Sequence, residues 1–110
     1  MEKTSLAELA EKSLAEARNV HSGRSAHTVH GGHASTLRQT VIALLGGQRL
    51  DEHENPGEAT LYVLAGRVRL SSGGEGQEAA AGDLLMIPDA RHALDALEDS
   101  VVLLTVAKLP

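Results

Sequence analysis

The sequence predicts an all-β protein, an antiparallel sandwich or barrel with one short α-helix at its N-terminus. Three observations lead there. From Leu37 onward the chain is a series of short apolar or alternating runs. Gly, Asp and Pro punctuate these runs at intervals of about 8 to 12 residues, the rhythm of a sandwich or barrel. No strand-then-helix alternation occurs, which argues against a parallel α/β sheet.

The helix is predicted over residues 5 to 18. Ser5 can cap it, and Glu8 three positions on completes a capping box. Leu6, Leu9, Ala10, Leu14 and Ala17 recur at helical spacing and form an apolar stripe. Charged residues take the other side, so the helix should lie across the outside of the barrel. The alternative is a helix that binds a partner.

A polar stretch follows, HSGRSAHTVHGGHAS, with an edge strand expected at 25 to 30 and a break at Gly31-Gly32. Next comes LRQTVIALL, a β-rich run closed by Gly46-Gly47. Then EATLYVLAG, RVRLSS, a GGEG hairpin turn, QEAAAG, DLLMIP, RHALDAL and SVVLLTVAK complete the strands. We divide the chain into an N-terminal helix and edge segment (1–35) and a barrel (36–110), one domain overall.

Composition narrows the function. The chain has 110 residues, enough for one core. A single Tyr, with no Phe or Trp, leaves Leu, Val, Ile and Ala to fill it. The net charge of −5 and the missing aromatics oppose nucleic-acid binding, which needs a basic surface and stacking platforms. No Cys is present, so disulfides, thiolate metal sites and cysteine nucleophiles are excluded. No run approaches the roughly 18 apolar residues of a membrane span. These features lead us to expect a cytoplasmic protein that does not bind membranes.

Two segments carry a family resemblance. Residues 47 to 66, GQRLDEHENPGEATLYVLAG, place His53 five residues beyond Gly47 and close on Gly66. Residues 82 to 92, GDLLMIPDARH, place Pro88 five residues beyond Gly82, then His92. In this order they resemble the two motifs of small single-domain cupins, and the resemblance spans residues 36 to 108. It implies a double-stranded β-helix, the jelly-roll barrel, often dimeric. Many members bind a divalent metal through three His and one Glu.

The ligand pattern is incomplete in this chain. His53 matches the first ligand, but Asn55 stands at the second and Ala59 at the Glu position. Glu58 lies one residue earlier, and a one-residue offset reverses the face of a strand. It would join the site only where the chain bends after Pro56-Gly57. His92 comes one position early. The resemblance carries over His53 and His92, with Asn55 as a substituted ligand and no Glu.

Two chemistries stay open. With Glu58 turned inward, His53, His92 and that carboxylate would form a metal site for Fe, Mn, Ni, Cu or Zn. Without it, His53 and His92 would serve a pocket as hydrogen-bonding or acid-base groups. Arg38 or Gln39 could line the same cavity, but alternation forbids both. An inward Arg38 would suit an anionic ligand; an outward one would lie on the barrel's surface, in reach of a dimer interface. His27, His30 and His33 read as solvated loop and edge-strand residues. Asp95, Glu98 and Asp99 read as a solvated turn.

The sequence thus supports a small-molecule-binding barrel, or a metal-dependent enzyme of oxygenase, isomerase or decarboxylase type that uses His53 and His92. A third reading is a structural dimerisation module, which would leave both histidines unexplained. The expected partners are a small molecule and a second copy of the chain.

Overall fold

The computed structural model describes residues 1–53 and 57–108, with only the backbone at 52 and 53. The described residues form helix α1 (Leu6–Arg18) and strands β1 (Arg24–His30), β2 (Leu37–Leu44), β3 (Arg49–His53), β4 (Gly57–Ala65), β5 (Arg67–Ser72), β6 (Glu75–Ala80), β7 (Leu84–Met86), β8 (His92–Ala96) and β9 (Ser100–Lys108). The strands make two antiparallel sheets, ordered β1-β2-β9-β4-β7 and β3-β8-β5-β6. This is the predicted all-β barrel with its N-terminal helix.

Alternation decides what each sheet buries. In β5, Val68 and Leu70 are buried while Arg67 and Arg69 are exposed. In β4, Leu61 and Val63 are buried and Tyr62 is exposed. The inner faces meet in a core of Leu44, Leu61, Val63, Val68, Leu94 and Val102, among others. No aromatic ring contributes. Each fully buried Leu or Val is worth about 1.5 to 3 kcal/mol of transfer free energy, so aliphatic side chains suffice to hold a barrel of this size.

The helix begins where the sequence placed it. Ser5 has extended backbone and its Oγ accepts the Glu8 N–H at 3.3 Å. Ala10, Ser13 and Ala17 are buried, and these small side chains let α1 lie close against the outer face of the larger sheet. A second apolar cluster forms there, with Ala10 and Ala17 against Val41, Ala43 and Val101. Two polar contacts orient the helix. Ser25 Oγ donates to Ser13 O at 2.8 Å, and His27 Nε2 lies 2.7 Å from Glu16 Oε2. His27 is therefore a half-buried helix anchor rather than the solvated strand residue the sequence suggested.

Turns follow the glycines. Gly73 and Gly74 have φ of +58° and +85° and close the β5–β6 hairpin, as the GGEG run predicted. Gly66, between β4 and β5, is more constrained. Its φ is +84°, and a Cβ there would overlap Asp99 O and Ser100 Oγ. No helix among the described residues is long and apolar enough to cross a membrane.

Candidate functional site

Register determines which residues face the barrel interior. On the larger sheet Ile42, Val102 and Val63 form one inward row, and Thr40, Leu104, Leu61 and Leu85 the next. One step nearer the rim the row is Arg38, Val106 and Ala59. On the smaller sheet Leu50, Leu94, Leu70 and Gln77 form an inward row. Nearer the rim, the backbone of His53 is opposite His92, and Ser72 is opposite Glu75. The Ser71–Ala93 pairing places Ser72 level with His92. An aliphatic floor thus gives way to a polar row at one mouth of the barrel.

His92 is held firmly in this row. It is 4% exposed, and its Nδ1 lies 3.0 Å from Ala90 O. A carbonyl only accepts, so Nδ1 carries the hydrogen of this bond. Such a backbone bond fixes both tautomer and ring orientation, which a binding or acid-base histidine needs.

The other candidates divide between the two faces. Arg38 shares the inward row with Val106 and is exposed at the rim. Gln39 points to the opposite side, where its Nε2 donates to Thr105 Oγ1 at 3.2 Å; it does not line the barrel. Glu58 is also on the outer face. It pairs with Ala107, one step from the inward Ala59–Val106 pair, and is exposed. The inward bend at Glu58 does not occur, because regular pairing with β9 already begins at Gly57. Asn55 lies outside the described residues.

This arrangement bears on metal binding. Only the backbones of His53 and His92 are shown to be paired, and a transition-metal site needs at least three ligands and a charge to balance the ion. Glu58, the carboxylate the sequence offered, is on the wrong face. Among the described residues, no three His, Asp or Glu side chains gather to hold an ion. The described donor set does not fit the three-ligand site.

What the mouth does contain is a cleft of about 380 Å³ between the edges of the two sheets. Leu70, Ser72, Glu75, Gln77, Leu85 and Pro88 line it, with Met86 at its side. A second cleft of about 420 Å³ adjoins it, sharing Gln77, Leu85 and Met86. Sequence reasoning missed Ser72, Glu75 and Gln77. The signal was the alternation itself, since an inward Val68 and Leu70 imply an inward Ser72 two residues on.

Asp99 was also missed. It is no loose turn residue: its Oδ1 accepts the Gly46 N–H at 2.9 Å and its Oδ2 lies 3.1 Å from Arg18 Nη2. The Gly46 hydrogen bond, then the Arg18 guanidinium, hold its carboxyl below the usual carboxylate range.

Comparison with known proteins agrees with this architecture. The family described as the cupin domain matches residues 40–107. A conserved protein of unknown function from Streptococcus pyogenes is 28% identical over 83% of this chain and 79% of its own, with a TM-score of 0.74. An RmlC-like cupin from Desulfovibrio desulfuricans is 26% identical over 76% of this chain and 81% of its own, with a TM-score of 0.67. A variant of the salicylate 1,2-dioxygenase of Pseudoaminobacter salicylatoxidans is 20% identical over 91% of this chain but 34% of its own, with a TM-score of 0.77; this likeness speaks to fold alone. No curated protein matched.

Proposed function

Because the chain belongs to the cupin domain family, we propose that its barrel binds a small organic molecule at the mouth that holds His92. The observation that carries this is the 380 Å³ cleft, with its floor of Leu70 and Leu85 and its rim of Ser72, Glu75 and Gln77. Size and mixed polarity are those of a small-ligand site, where apolar surface supplies affinity and a few polar groups fix orientation. The test is a fragment screen on ¹⁵N-labelled protein by amide chemical shifts. Binders should shift the amides of Leu70, Ser72, Gln77 and Leu85. Binders whose shifts map only elsewhere would overturn the reading.

The competing reading is an enzyme that uses His53 and His92. It is supported by the pairing of their backbones across β3 and β8 and by the orienting bond to His92 Nδ1. Metal content per chain, measured by mass spectrometry on protein purified without chelator, separates the two. Stoichiometric Fe, Mn, Ni, Cu or Zn favours the enzyme.

The protein is proposed to act as a homodimer. Leu37, Tyr62, Leu84 and Met86 are exposed on the outer side of the larger sheet, and the core is small and without aromatics. A monomer mass in light scattering at micromolar concentration would refute this.

A further inference from the structure

We infer that the cleft between β6 and β7 selects a cationic hydrogen-bond donor, an ammonium group on an apolar body, and rejects an anion. This rests on the small-molecule reading above and names the ligand's chemistry.

The argument starts from the wall. Among the described residues that line the 380 Å³ cleft, the only charged one is Glu75, and it carries a carboxylate. Arg38, the residue that could have drawn an anion, is on β2 and is not part of this lining. Arg69 packs over Gly76 from its own face of the smaller sheet, the outer one, in the row opposite Glu78.

The neutral polar groups can accept from such a guest. The Ser72 hydroxyl donates its one hydrogen to Arg91 O at 2.7 Å, which leaves lone pairs. Gln77 Nε2 donates one hydrogen to Glu78 O at 3.3 Å, which leaves Oε1 as an acceptor and its second N–H as a donor. The wall therefore offers acceptors to a guest beside the second amide hydrogen of Gln77 and the hydroxyl of Ser71, and among its described residues the charge is the carboxylate of Glu75. The adjoining cleft adds Glu78 and Asp83. Glu78 faces Arg67 at 3.5 Å, and Asp83 Oδ2 accepts the Ala80 N–H at 2.9 Å; both add negative charge beside Glu75 and none of the opposite sign to the lining.

A ligand must match this pattern. An ammonium offers three donors and a charge opposite to Glu75. A carboxylate would bring like charge to Glu75. Leu70, Leu85, Met86 and Pro88 supply the apolar contact for the body that bears the charge.

The test uses the full chain and two probes of matched shape and opposite charge, 2-phenylethylamine and 3-phenylpropionate. Each is titrated to about 10 mM, the range of weak fragment affinities, with amide shifts as readout. We expect the amine to shift the amides of Leu70, Ser72, Gln77 and Leu85 and to saturate. The acid should bind at least about 10-fold more weakly, and Glu75→Gln should weaken the amine about 5- to 10-fold with the spectrum otherwise native. Equal or tighter binding of the acid at these amides overturns the charge assignment and leaves the small-molecule reading standing. Unchanged amine affinity in Glu75→Gln overturns the role of Glu75. Failure of both probes to shift these amides overturns the inference together with the reading beneath it.

Discussion

Arg18 Nη2 lies 3.1 Å from Asp99 Oδ2, which ties the last turn of the helix to the turn between β8 and β9. The same carboxylate accepts the backbone N–H of Gly46, just beyond β2. Three segments distant in sequence are thus held at one charged side chain, at the end of the barrel away from the candidate site.

This clamp should depend on pH. The Asp99 carboxyl titrates below its ordinary value, chiefly because of the Gly46 hydrogen bond and then Arg18. A depressed carboxyl stabilises the fold fully above the unfolded-state pKa of about 3.9 and loses that contribution as pH falls through the folded value. Thermal unfolding of wild type and Asp99→Asn should differ at pH 7 and converge as pH falls below about 4. A gap that stays constant across that range would rule out the linkage.

Ser100 should behave as a structural hydroxyl. It is 1% exposed, and its Oγ lies 2.7 Å from Glu98 O and 3.0 Å from Arg67 O while accepting the Arg67 N–H at 3.0 Å. Ser100→Ala would leave these backbone groups short of a partner, at a cost of about 1 to 3 kcal/mol. Chemical denaturation should show a lower midpoint with an unchanged slope.

Gly66→Ala should be more damaging. The substitution would force a positive φ on an L-residue and drive its methyl into Asp99 O and Ser100 Oγ. The backbone term alone costs on the order of 1 to 3 kcal/mol, before any displacement of β9. Gly47→Ala makes a control, since φ there is also positive but no atom lies in the way. Its loss should be the smaller by denaturant melting.

His27→Ala should loosen the helix without unfolding the barrel. The residue meets Glu16 at 2.7 Å, with side chains 32% and 38% exposed. A half-exposed pair of this kind is worth about 0.2 to 1 kcal/mol. Hydrogen exchange should speed up along α1 while the amides of β4 and β9 stay protected. Equal acceleration in both would show that helix and barrel open as one unit.

Most of the architecture could be read from neighbouring residues alone. The cap at Ser5, the glycine turns and the alternation in RVRLSS act over a few positions, where propensity and period are local physics. The two motifs likewise singled out His53 and His92, because their spacing along the chain is what makes them recognisable. For Glu58, Gln39 and Arg38 the assignment to a face was not readable in this way. Glu58 and Gln39 are turned outward, and Arg38 inward, by their register with β9, a strand that lies between 49 and 68 residues away in the pairs Glu58–Ala107, Gln39–Thr105 and Arg38–Val106. One step of register reverses every side chain of a strand. Nor could the chain order reveal that Ser72, Glu75 and Leu85 border one cleft, since that follows from how the two sheets stack. Local periodicity determined the strands and the helix, whereas long-range pairing and sheet packing decided which polar groups a ligand could meet.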